Sequence, residues 1–121
     1  MARRIKHGEG WRIGWDDEAD TYQGLIGGDQ WSLELTQAEL DDFCRLVLRL
    51  DAEIHQIAQE LMEAERLTCE AESPLLWLEA DGYPNSYRLH VMTLTGRRGE
   101  GFWPETATQE LIQAIQTLYV F

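Results

Sequence analysis

Lysine is nearly missing from this sequence. Lys6 is the single one among ten cationic residues, set against 22 Asp and Glu. The formal charge of −12 repels phosphate backbones and anionic lipid surfaces, so it disfavours nucleic acid and membranes as partners and favours basic ones. Cysteine is scarce as well. Cys44 and Cys69 stand alone, with no Cys or His at ligand spacing. That excludes a disulfide framework and a cysteine zinc site, and leaves two buried, inert thiols as the expectation. Long apolar runs are absent: none exceeds Leu75-Leu76-Trp77-Leu78, far short of the roughly 20 residues a membrane helix needs. The basic residues near the N-terminus have no apolar stretch behind them, so no secretory signal is read there and a cytoplasmic location is the default expectation.

The patterns that carry catalysis are missing too. No Ser lies in a nucleophile elbow and no Cys comes with a His partner. Gly27-Gly28 lacks the Lys-Ser/Thr of a phosphate loop and is read as a hairpin turn. His7, His55 and His90 are scattered, and the acidic loop Asp16-Asp17-Glu18-Ala19-Asp20 has neither the alternating ligands nor the central Gly of a calcium-binding hand. Glu60 and Glu63 are one helical turn apart, which a polar helix face explains equally well. With 22 acids in the chain, adjacent carboxylates arise by number alone. The expectation is a protein that is not an enzyme and has no cofactor and no metal.

What is present is a strand pattern that repeats. Trp11, Ile13 and Trp15 alternate with Arg12 and Gly14, as in a half-buried strand. A hairpin follows: Tyr22 to Ile26, a turn at Gly27-Gly28-Asp29 read as needing positive φ, then Trp31, Leu33 and Leu35. Arg3 to His7 is a weaker strand before these. Thr36-Gln37-Ala38-Glu39 has the form of a capping box, and the spacing predicts a helix from about Gln37 to about Arg66. Its stripe of Leu40, Phe43, Val47, Leu50, Ile54, Ile57, Leu61 and Ala64 suits a helix lying on a sheet, with a coiled-coil seam as the rival. Strands are predicted again over Leu67–Glu72, Leu75–Ala80 (ended by Asp81-Gly82 and Tyr83-Pro84), Tyr87–Leu94 and at Phe102-Trp103. A last helix over about Ala107–Tyr119 is expected to be capped by Thr106 with Gln109. The fold class is therefore α+β. It comprises two ββββα units, antiparallel sheets backed by one long and one shorter helix, in a single domain whose pseudo-repeats divide at about 1–66 and 67–121. Trp31 and Trp103 are matched as equivalents, because each precedes a Glu-Leu pair at a similar distance.

The residues that carry a resemblance are Gly10-Trp11-Arg12, Leu25-Ile26-Gly27-Gly28-Asp29-Gln30-Trp31, Glu34-Leu35-Thr36, Asp42-Phe43-Cys44-Arg45-Leu46, Glu60-Leu61-Met62, Trp77-Leu78-Glu79 and Gly96-Arg97-Arg98-Gly99-Glu100-Gly101-Phe102-Trp103. Together they resemble a small cyanobacterial family of unknown function. Its fold is similar to that of the plant Whirly proteins and a eukaryotic transcriptional coactivator, both of which bind single-stranded DNA. The resemblance implies two antiparallel sheets with helices packed behind them. It implies no activity and no catalytic residues, and no Whirly DNA-binding motif is matched here.

The residues singled out for a partner or anion contact are Arg97 and Arg98 on their hairpin with Trp103 beside them, and Arg3, Arg4 and Lys6 near the N-terminus. Adjacent guanidiniums near aromatics suit a phosphate or carboxylate, and Trp103 is a candidate stacking platform. The favoured reading of this hairpin is nevertheless the bland one, a solvated tip with Phe102 and Trp103 in the core. The leading functional expectation is a non-enzymatic protein-binding or assembly protein, monomeric or homodimeric. Single-stranded nucleic-acid binding, implied by the fold resemblance, is the rival.

Overall fold

A computed structural model of the chain describes residues 3–60 and 65–118. Eight strands and two helices alternate in the order β1 (Arg3–Gly8), β2 (Trp11–Asp16), β3 (Gly24–Gly27), β4 (Ser32–Leu35), α1 (Gln37–Ala58), β5 (Leu67–Glu72), β6 (Leu76–Tyr83), β7 (Ser86–Thr93), β8 (Glu100–Trp103) and α2 (Glu105–Gln116). The strands form two antiparallel meanders, β1-β2-β3-β4 and β5-β6-β7-β8. Each is followed by its helix, so the expected pair of ββββα units is what the chain builds.

Period-two alternation decides the faces. In the first sheet Trp11, Ile13 and Trp15 are buried, and Ile13 lies opposite both Lys6 and Ile26. In the second, Leu76, Leu78 and Ala80 on β6 share the buried face with Tyr87, Leu89 and Val91 on β7. Helix α1 begins where the sequence placed it. The Thr36 hydroxyl accepts from the Glu39 backbone N–H at 3.1 Å, and the Glu39 carboxylate accepts from the Thr36 N–H at 2.8 Å. Its buried face carries Leu40, Phe43, Leu46, Val47, Leu50 and Ile54. These pack on the chain's own sheets and not along a seam between copies.

The helices interlock the units. Helix α1 lies against β3 and β4 of its own unit and also against β5 and β6 of the next; α2 lies against β7 and β8 and also against β1 and β2. Both sheets and both helices therefore contribute to one hydrophobic core.

Several boundaries differ from the sequence reading. Helix α1 ends at Ala58 with Gln59 as its C-cap, so its 22 residues span roughly 33 Å. Ile57 is already exposed, while Leu61, Ala64 and Glu63 lie outside the described residues. Pro104, not Thr106, caps α2; it has no side-chain cap bond, and Thr106 lies inside the first turn. The helix reaches Gln116, and Tyr119 is outside the described residues. Strand β6 continues through Asp81-Gly82 to Tyr83 because Gly82, at φ +149°, pairs with Tyr87; a Cβ there would strike the β7 backbone 2.6 Å away. The chain turns instead at Pro84-Asn85. Gly27 and Gly28 are not at positive φ. Their glycines are needed for space, since a Cβ would meet the Arg12 side chain and the Trp31 indole respectively.

Trp31 and Trp103 are not equivalent positions. Trp103 is the last residue of β8, directly before the Pro104 cap, and so corresponds to Leu35 before Thr36; Trp31 precedes β4 altogether. The two rings meet with centroids 4.9 Å apart where the edges of the two sheets come together. Each indole N–H donates to a backbone carbonyl of the other unit, Trp31 to Phe102 at 3.0 Å and Trp103 to Gly27 at 2.8 Å. The bond to Phe102 occupies an acceptor on β8, an edge strand, and the bond to Gly27 ties the second unit to the end of β3. Gly101 is required by the same junction, because a Cβ there would sit 2.4 Å from the Trp31 ring.

The thiols differ. Cys44 is buried, and burial, with a smaller push from Asp41, raises its thiol to about 12. Cys69 is only half-buried and is raised in the same direction, by burial first and Glu53 second. At pH 8 an aromatic disulfide reagent is expected to label Cys69 slowly and to reach Cys44 only after denaturation. Two thiols reacting at equal rates in the native protein would place Cys44 at the surface.

Candidate functional site: the open face of the second sheet

The cations singled out from the sequence do not gather into one patch. Lys6 donates from Nζ to the Thr117 carbonyl at 3.0 Å and to the Thr117 hydroxyl. Thr117 is the C-cap of α2, so Lys6 supplies a positive charge at a helix C-terminus. Arg3 is exposed opposite Asp16, and Arg4 is half-buried opposite Trp15. Arg97 folds back on the protein. It donates to the Glu39 carboxylate and the Glu34 carbonyl, and its guanidinium lies 4.5 Å from the centre of the Tyr22 ring. Arg98, exposed, takes φ +48° in the turn. The trio sits on β1 and Arg97 is anchored to β4, the opposite edge of the first sheet, three strand spacings or roughly 14 Å away. Trp103 has no exposed surface, so it cannot serve as a stacking platform.

The aromatics that do reach solvent lie elsewhere. On β6, β7 and β8 the residues between the core positions point away from both helices. Register aligns them in rows: Glu72, Trp77, Met92 and Glu100; Glu70, Glu79, His90 and Phe102; Thr68, Asp81 and Arg88. Trp77 meets His90 edge-on at 5.0 Å, and His90 stacks on Phe102 at 4.0 Å with ring planes 15° apart. The Arg88 guanidinium sits 5.4 Å from the Phe102 centroid. His90 Nε2 and the Glu100 carboxylate are 2.9 Å apart. Phe102 is 44% exposed, which corrects the reading that placed it in the core. This continuous layer of indole, imidazole and phenyl covers a sheet whose core lies entirely on the other side.

Beside Phe102 the surface dips into a crevice of about 270 Å³, lined by Gly10, Asp29, Gln30, Trp31, Phe102 and Pro104. Asp81, at the far end of the face, accepts from Arg66 at 2.9 Å and from Thr68 at 3.1 Å; the Arg66 hydrogen bond and then that of Thr68 hold its carboxyl below the usual range. Among the described residues no three His, Cys, Asp or Glu side chains cluster to hold a metal ion. The acidic loop forms a turn of its own, with the Glu18 N–H donating to Asp16 at 3.0 Å. No helix among the described residues is long and apolar enough to cross a membrane.

Sequence reasoning missed the stack because His90 was weighed only as a metal ligand and Phe102 only as core or as a neighbour of Arg97 and Arg98. A signal was available: Trp77 falls between Leu76 and Leu78, so in a strand that buries both leucines the indole must face outward.

Comparison with known proteins gives a fold and a family. A solved structure of a protein of unknown function, described as from the DUF155 family of the cyanobacterium Prochlorococcus sp. NATL2A, is similar over 98% of this chain and 99% of that one, with a TM-score of 0.90 and 27% identity. Among curated proteins the sequence finds no match. A family described as a domain of unknown function, DUF1818, matches residues 6–118. Because that span runs from within β1 to beyond the end of α2, it takes in both sheets and the open aromatic face, and the chain belongs to the DUF1818 family.

Proposed function

We propose that this chain is a non-enzymatic protein-binding module that docks its partner on the open face of the second sheet. The observation that carries the reading is the Trp77–His90–Phe102 stack with Arg88. Phe102 is exposed and Trp77 and His90 are half-buried; rings that pack on one another on a rigid strand frame supply apolar contact area at little entropic cost on binding. Met92, half-buried between them, adds an adaptable apolar surface. A photo-crosslinking residue at Met92, expressed in the native cell, should capture a discrete protein, whereas the same residue at Arg45 on the exposed side of α1 should not. Equal capture from both positions would remove the face as a docking site.

A second reading is supported by the same stack and by the resemblance to the Whirly fold that the sequence implies: bases could stack on Phe102. Charge weighs against it. A strand crossing this face would meet Glu70, Glu72, Glu79 and Glu100, with Arg88 as the cation within the rows. One phosphate contact contributes only about 0.7 to the logarithmic salt slope for single strands. Fluorescence anisotropy with labelled single-stranded oligonucleotides is expected to show no appreciable binding at physiological salt. Micromolar binding abolished by Phe102→Ala would replace the protein reading with this one.

A further inference from the structure

Resting on that docking reading, the geometry points to an arginine-bearing segment of the partner as the occupant of the face, its guanidinium seated over the β5–β6 corner beside Trp77. Four outward side chains form this corner. Glu70 lies directly opposite Glu79, and Glu72 directly opposite Trp77. Like charges facing one another across an antiparallel pair weaken a sheet, yet here two carboxylates do so. The other acids of the face have partners: Asp81 has Arg66 and Thr68, and Glu100 has His90. Among the described residues no ion pair is formed by Glu70, Glu72 or Glu79. The fold thus gives the acids at the margins partners and leaves these three without an ion pair around an indole.

A guanidinium fits this corner by shape as well as by charge. It is planar, can bridge two carboxylates, and stacks on aromatic faces. The protein already sets a guanidinium against a ring twice within itself, Arg88 at Phe102 and Arg97 at Tyr22, and Arg97 joins to its ring a carboxylate, Glu39. An ammonium would satisfy the charge but not the planar, bridging geometry. Phosphate or carboxylate would meet three negative charges.

The test is anisotropy at low ionic strength with fluorescein-labelled Arg-Gly repeat peptide, against matched Lys-Gly and Glu-Gly repeats and oligothymidylate. The Arg-Gly peptide is expected to bind, Lys-Gly more weakly, and the two anionic probes not at all. Glu70→Gln combined with Glu79→Gln should weaken Arg-Gly binding at least about tenfold, as the loss of charge-assisted hydrogen bonds predicts. The same double variant should melt at a higher temperature than the parent, because the opposed charges are gone. A gain in stability joined to a loss of binding marks acids retained for a partner. Three results overturn the inference: no binding of Arg-Gly, unchanged binding by the double variant, or lost binding only with a lowered melting temperature. If Met92 still captures a discrete protein in that event, the docking face stands and its arginine occupant falls. Oligothymidylate binding would overturn both.

Discussion

Ile54→Asp is expected to unfold the protein. Ile54 is 3% exposed on the face of α1 that packs on the sheets. The substitution removes apolar burial of about 2–3 kcal/mol and puts an unpaired carboxylate in its place, at a further cost of several kcal/mol. Set against the 5–15 kcal/mol typical of a whole domain, that is enough to abolish folding. Circular dichroism with sedimentation provides the measurement: the helical signal should collapse. A variant that stayed folded and lost only self-association would turn the Leu40–Val47–Ile54 stripe into a seam between copies.

Arg97→Ala should cost about 2–3 kcal/mol, read as a shift in the urea midpoint at unchanged slope. Its partner is the reason. The Glu39 side chain is 2% exposed and is held by the Thr36 N–H, the Thr95 hydroxyl at 3.3 Å and the Arg97 guanidinium. Without Arg97 a buried carboxylate keeps two neutral donors and loses its counter-charge. Adding Glu39→Gln to the variant should recover part of the loss, because the uncompensated charge is then gone. A cost below about 0.5 kcal/mol, the range of an ordinary surface substitution, would show that Arg97 is a free surface cation and restore it as a contact for an outside anion.

Strand positions were legible because the buried residues alternate: Trp11-Ile13-Trp15 and Leu76-Leu78-Ala80 announce their faces directly. The start of α1 was legible because Thr36 and Glu39 satisfy each other's backbone amides. Its end was not. The apolar spacing in the sequence runs on through Ile57, Leu61 and Ala64 with no glycine to stop it, whereas among the described residues of α1 the last buried position is Ile54 and Ile57 is already exposed. Pro104 was passed over as a cap because it has no side-chain acceptor to offer, yet its fixed φ of −72° suits the entry to α2. The candidate site was hidden for a different reason. Trp77, His90 and Phe102 are on three strands and become neighbours only through register, a property of paired strands that no single stretch of sequence displays. Arg97 and Arg98 stood out because they are adjacent in the chain, and the fold then turned Arg97 inward to Glu39.

The interlocking of the helices has a consequence for how the chain folds as it leaves the ribosome. When α1 has emerged, β5 and β6, which cover part of its apolar face, do not yet exist. The first meander likewise lacks α2, which follows β8 in the chain and packs back on β1 and β2. Neither end of the chain can therefore bury its apolar surface by itself, and contacts this distant in sequence form slowly because a long loop must close before they reward it. The nascent first unit is expected to remain protease-sensitive on a stalled ribosome until α2 has cleared the exit tunnel, at which point both units become resistant in a single step.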